Sequence, residues 1–236
     1  MGGVLIRKLS LLIFLFPIFH FSAFCQANIL PGHYAYTNSI GTVHIIGEVV
    51  NNSNKILTFV KLTANLKNQI GEIVANGFTY TCLDNLPPGV KTCFDLMISG
   101  KPPAWSSYEF LSVGYSENGK ELPVATVTSS GVLKTYPWQE YDITGEVFNS
   151  GVKRIEFVSI VGSLYGQSGN IIDCDFTYAD ITHLDPMMRS SFNLSFFGPS
   201  SYSGVSSYTL QVDGIIKDPL NPFWRKVFLP FVVRQQ

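Results

Sequence analysis

The sequence predicts an all-β protein: two tandem immunoglobulin-like β-sandwich domains behind an N-terminal signal peptide. Three observations carry this. Apolar residues alternate with polar ones at a period of two. The same pattern of strands and turns occurs twice, 98 residues apart. A basic and then apolar leader opens the chain.

The alternation defines the strands. In the first copy Val43, Ile45, Gly47 and Val49 share one face, as do Val60, Leu62, Ala64 and Leu66, and then Phe94, Leu96 and Ile98. The second copy repeats this with Tyr141, Ile143, Gly145 and Val147, with Val158, Ile160, Gly162 and Leu164, and with Phe192, Leu194 and Phe196. Such runs describe strands with one buried face. Turn-forming clusters separate them: Asn51-Asn52-Ser53-Asn54, Gln69-Ile70-Gly71, Leu86-Pro87-Pro88-Gly89, Asn149-Ser150-Gly151 and Ser168-Gly169-Asn170. No stretch of ten or more residues carries an apolar stripe at helical spacing. Several short strands at these intervals indicate a sandwich of immunoglobulin-like size.

The repeat is legible residue by residue. Gly47-Glu48-Val49-Val50-Asn51 recurs as Gly145-Glu146-Val147-Phe148-Asn149, and Phe59-Val60 as Phe157-Val158. Phe78-Thr79-Tyr80 recurs as Phe176-Thr177-Tyr178, Leu86 and Pro88 as Leu184 and Pro186, and Phe94 and Leu96 as Phe192 and Leu194. After a two-residue insertion, Ser106-Ser107-Tyr108 matches Ser206-Ser207-Tyr208. The expected organisation is a leader over 1–27, one sandwich over 28–115, a linker over 116–137, a second sandwich over 138–217 and a tail over 218–236.

These runs, G-E-V-x-N-(N/S), F-V-x-(L/I), G-x-I, L-x-P and F-x-L, resemble the FxLYD domain. That family comprises small extracytoplasmic β-sandwiches, often in tandem, in bacterial and archaeal envelope proteins. The second copy keeps Leu164-Tyr165 of the name motif, with Gly162 and Gly166 where the family has Phe and Asp. The first copy departs further, with Asn65-Leu66-Lys67-Asn68. The resemblance covers most of residues 40–115 and 138–213. It implies a fold and an extracytoplasmic compartment, and it brings no catalytic residues with it.

The leader supports the same compartment. Arg7 and Lys8 precede an apolar run from Leu9 to Phe24, and small residues at Ala23, Cys25 and Ala27 offer cleavage sites. An uncleaved anchor is the alternative, because the run is long enough to cross a bilayer core of roughly 30 Å. Setting aside Arg7 and Lys8, 14 of the 16 basic residues remain against 17 acidic ones, a formal charge near −3. Charge this weak, with no block of Lys and Arg interleaved with aromatics, argues against nucleic acid as a partner.

The mature chain carries Cys82, Cys93 and Cys174, with Cys25 at the end of the leader. Cys82 and Cys93 flank the loop Leu83–Thr92, and at the 98-residue offset both are absent together, replaced by Asp180 and Ser191. Joint absence is what a bonded pair predicts, so a Cys82–Cys93 disulfide is expected, contributing roughly 3 kcal/mol by loop closure. Cys174 is then left over as a buried thiol, an intermolecular disulfide or a ligand.

Signals for chemistry are sparse. His33, His44 and His183 have no triad-like neighbourhood in the sequence, and no phosphate loop, dinucleotide fingerprint or characteristic metal spacing is present. No catalytic residues and no cofactor are expected. Asp173, Cys174 and Asp175 form the one weak candidate for a metal, against the plainer reading of a solvated strand edge. Asn51 and Asn193 stand in N-x-S tripeptides and are candidate glycosylation sites, Asn51 in a turn and Asn193 on a strand. The tail, with Phe223, Trp224, Phe228 and Phe231, either packs back on the sandwiches or docks a partner or a membrane interface. The expected function is a non-catalytic, exported cell-envelope module that binds another envelope protein or a surface glycan. The alternative is an envelope carrier of a ligand or metal ion using the second domain.

Overall fold

A computed structural model describes residues 26–134, 140–198 and 202–217. All but the end of the leader, Cys25 and the aromatic tail lie outside these residues. Every regular element described is a β-strand, and every pairing is antiparallel.

In the first half, β1 (Ala27–Ile29) and β2 (Tyr34–Thr37) follow one another along one edge of β3 (Val43–Asn51), and β7 (Lys91–Ile98) pairs with its other edge. We term this sheet I. Sheet II has β4 (Leu57–Lys67) at its centre, with β5 (Ile73–Tyr80) and β6 (Asn85–Leu86) on one side and β8 (Ser107–Ser116) on the other. The second half repeats this order. Sheet III is β9 (Ala125–Lys134), β10 (Glu140–Asn149) and β14 (Arg189–Phe196). Sheet IV centres on β11 (Arg154–Gly166), between β15 (Val205–Lys217) and the pair β12 (Ile171–Tyr178) and β13 (His183–Leu184).

The repeated motifs have structural causes. Gly47 pairs with Phe94 and Gly145 with Phe192, and the ring lies over the glycine. A Cβ on Gly47 would meet Phe94 Cζ at 2.5 Å, and one on Gly145 would meet Phe192 Cε1 at 3.0 Å. The motif asparagines close the turns. Asn51 Nδ2 donates to the carbonyls of Lys55 and Leu86, both at 2.7 Å, and Asn149 Nδ2 donates to those of Lys153 and Leu184, at 2.8 and 2.9 Å. The F-V pair marks a bulge in β4 and again in β11, where Phe59 and Phe157 adopt φ of 51° and 54°.

Three expectations need correction here. Residues 125–134, read as linker, form β9 and pair with β10 over its whole length, because Ala125, Val127 and their neighbours alternate as a strand should. Asn51, read as a glycosylation candidate in an open turn, is fully buried, since its amide is consumed by the turn it closes. Asn193 is the exposed one of the two, on β14.

The third concerns burial. Alternation predicts one buried face per strand, yet Ile45 and Ile46, Cys93 and Phe94, and Val161 and Leu164 are all buried. The outer face of sheet I packs against the outer face of sheet IV, so Ile46 and Cys93 share a single apolar cluster with Val161, Tyr165, Ile171 and Cys174. The remaining second-half core, with Ile143, Leu164, Phe192 and Phe196, is separate.

Candidate functional site

The packing of sheet I on sheet IV leaves a cleft of about 690 Å³ where β3, β5 and β7 meet β12. The contact beneath it is fixed by covalent and polar links. Cys93 on β7 forms a disulfide with Cys174 on β12, with Cα atoms 5.9 Å apart. This replaces the expected Cys82–Cys93 bond and the expected solitary Cys174. Both partners sit on outer sheet faces, and those faces meet one another. Cys82 is the free thiol among the described residues, and its Sγ lies 3.3 Å from Cys174 Sγ.

Polar links reinforce the bridge. Tyr165 donates to Glu48 Oε1 at 2.6 Å, and Lys91 Nζ lies 3.0 Å from the same carboxylate and 4.8 Å from the Tyr165 ring centroid. The Asp84 amide donates to Asp213 Oδ2 at 2.7 Å, and Gln211 Nε2 donates to the Lys91 carbonyl at 2.9 Å. Tyr34 donates to the carbonyl of Ile172.

The walls of the cleft are acidic. Asp84, Asp95, Asp173, Asp175 and Asp213 line it, and among the described residues no lysine or arginine does. His44 on β3 donates through Nδ1 to Asp95 Oδ2 at 2.8 Å, while its Nε2 accepts from Asn38 Nδ2 at 3.1 Å. The hydrogen bond to Asp95 holds the His44 imidazole above its ordinary pKa. Asp95 Oδ1 is buried and has no hydrogen-bond partner among the described residues. Tyr36, Tyr80, Phe176 and Tyr178 supply aromatic surface at the mouth, with Tyr36 stacked on His44 at 4.9 Å.

Asp173 and Asp175 lie opposite Leu164 and Gly162 and so share a face of β12, as the spacing implies, but they are not a solvated edge. Asp173 is 5% exposed, accepts from Tyr202 Oη, and takes the Cys174 amide hydrogen at 2.8 Å. Burial outweighs those hydrogen bonds and pushes its carboxyl up to about 6. Burial also raises Asp175 and Asp213 above the usual carboxylate range. Among the described residues the group close enough to hold a metal ion is Cys82, Cys93 and Cys174, whose sulfurs lie within 4.8 Å of one another; Asp173 and Asp175 do not belong to it.

The sequence brings none of His44, Asp95 and Cys82 together. The signal that was available is Ile45-Ile46: two adjacent apolar residues in an alternating strand mean that both faces are covered.

A nucleophile needs a base within hydrogen-bond reach. Here His44 Nε2 is engaged by Asn38, and burial, with Asp175 and Asp95 adding to it, pushes the Cys82 thiol up to about 12. The arrangement suits the reception of a positively charged group, through carboxylates and aromatic faces that line the same cleft.

No family model and no curated protein matches this chain. Among solved structures, the crystal structure of red sea bream transglutaminase is similar at 13% identity and a TM-score of 0.25, over 78% of this chain and 29% of that one. The chain therefore spans under a third of that protein's length.

Proposed function

We infer that this protein is an exported, non-catalytic binding module of the cell envelope, and that the cleft between its halves receives a basic side chain of a protein partner. The observation carrying this is the composition of the cleft: five aspartates, an aromatic mouth and no lining lysine or arginine among the described residues. A cation placed there gains cation–π and charge-assisted contacts together. The leader and the resemblance to FxLYD domains support the compartment. The raised Cys82 thiol and the occupied His44 Nε2 support binding over catalysis.

The test is calorimetry with a lysine- and arginine-rich peptide and its glutamate-substituted counterpart, against the wild type and an Asp84→Asn, Asp175→Asn double variant. The basic peptide should bind the wild type, weaken with salt, and lose about tenfold in affinity on the variant. Equal binding to both proteins, or preference for the acidic peptide, contradicts the reading.

A second reading, carriage of a soft metal ion, is favoured by the three-sulfur group. Its donors are Cys82, Cys93 and Cys174, two of which are consumed by the disulfide, so it applies to the reduced chain. Metal analysis of protein purified under reductant, with Cys82→Ser as control, decides it; lack of stoichiometric metal removes it.

A further inference from the structure

Cys82 and Cys93 occupy positions that face one another in both halves. In the second half the equivalent residues are Asp180 and Ser191. There the Asp180 amide donates to the Ser191 carbonyl at 2.9 Å, just as the Cys82 amide donates to the Cys93 carbonyl at 3.0 Å. The Ser191 hydroxyl then donates to the Asp180 carboxylate, so the two side chains meet directly. The fold thus brings these positions into bonding reach without any help from the other half. In the first half both are sulfur, yet Cys93 is bonded to Cys174, and Cys82 rests with its Sγ 3.3 Å from Cys174 Sγ. All three sulfurs lie within 4.8 Å of one another.

We propose that the three cysteines form an internal disulfide relay that moves the bridge from between the halves to within the first half. The Cys82 thiol gives up its proton and its sulfur attacks Cys93 Sγ. The Cys82–Cys93 bond forms and the Cys93–Cys174 bond breaks. Cys174 leaves as a thiolate and takes up a proton. One disulfide and one thiol are present before and after, so no oxidant or reductant enters. Attack at Cys174 Sγ, 3.3 Å away, instead gives a Cys82–Cys174 bond, which still spans the halves. The side-chain geometry repeated at Asp180 and Ser191 makes Cys82–Cys93 the terminal arrangement.

The consequence is a covalent lock that opens. Once the bridge lies within the first half, the side chains of the two halves are joined, among the described residues, by non-covalent contacts such as Tyr165 to Glu48 and the Asp84 amide to Asp213. A free thiol then stands at Cys174, in the wall of the cleft. Burial of Cys82 suppresses its thiolate and keeps the exchange slow while the halves are closed.

The experiment is non-reducing peptide mapping of the full chain. Protein purified without reductant is incubated in thiol-free buffer, quenched with acid at intervals, alkylated and digested, with Cys25 peptides followed separately. The relay predicts a growing Cys82–Cys93 peptide, matching loss of Cys93–Cys174, and alkylation moving from Cys82 to Cys174. The rate should not change with protein concentration. Cys82→Ser should keep Cys93–Cys174 alone, and Cys174→Ser should carry a Cys82–Cys93 bond. Wild-type protein that retains Cys93–Cys174 and an alkylated Cys82 throughout overturns the proposal, as does exchange that stops at Cys82–Cys174.

Discussion

Tyr165 donates its hydroxyl to Glu48 at 2.6 Å, joining two residues 117 positions apart. Glu48 belongs to the repeated G-E-V motif and Tyr165 to the Leu-Tyr pair carried by the second copy, where the first has Leu66-Lys67, and the bond is made between the copies rather than within either. The equivalent of Glu48 in the second half is Glu146, which is exposed. Glu48 is 8% exposed and needs its donors. Tyr165→Phe should lower unfolding stability by about 1–3 kcal/mol, whereas Glu146→Gln should change it by less than about 0.5 kcal/mol. Denaturant midpoints of the two variants check this, and equal effects would show that the contact between the halves carries no stability.

The turn asparagines should be among the least replaceable polar residues. Asn51→Ala removes the hydrogen bonds given to the carbonyls of Lys55 and Leu86, and Asn149→Ala removes those given to Lys153 and Leu184. Each substitution should cost at least about 2 kcal/mol. Thermal unfolding of both measures it. The same burial predicts that Asn51 carries no sugar when the protein is made in a glycosylating host, which intact mass reports directly.

The two motif glycines should differ. A Cβ at Gly47 meets the tip of the Phe94 ring, which can shift, whereas one at Gly145 meets the Thr128 carbonyl oxygen at 2.1 Å and backbone must move. Gly47→Ala should therefore destabilise by about 1–3 kcal/mol and Gly145→Ala by more. A larger effect at Gly47 would mean that β9 is not held against β10 as described.

Asp173 should make stability fall as pH rises. Its folded-state carboxyl is raised to about 6 from the ordinary 3.8, so between these values the folded state holds a proton that the unfolded state has lost. Stability is then lost from about pH 4 to about pH 6, by on the order of 2–3 kcal/mol. Burial gives Asp175 and Asp213 the same sign. Asp173→Asn should flatten the difference over that window in denaturation curves taken at successive pH values. An unchanged slope would place the titration elsewhere.

The repeat made much of this fold readable. The offset of 98 carries β5 onto β12 and β7 onto β14 with identical bounds, because strand length and turn chemistry are local properties written in each copy. What lay beyond the sequence depends on how the copies meet. Glu48 and Cys93 occupy positions that alternation assigns to solvent, and only the contact of sheet I with sheet IV buries them. The joint absence of Cys82 and Cys93 from the second copy reflects a true local relationship, since Asp180 and Ser191 do face each other, but the second half brings a third sulfur whose place depends on how the halves meet. The acids of the cleft were visible only in part. Asp173 and Asp175 stood out by spacing, while Asp95 and His44, from the other half, gave no local sign.

The most direct test of a cleft that receives a basic partner is site-specific photo-cross-linking in intact envelopes. The cross-linker is placed at Phe176, 48% exposed at the cleft mouth, and at Val152, 82% exposed and outside the cleft lining. A cleft that receives a basic partner gives a discrete adduct from Phe176, lost when Asp84 and Asp175 are changed to asparagine, and none from Val152. Adducts from Val152 alone, or adducts from Phe176 that persist in the asparagine variant, would contradict it.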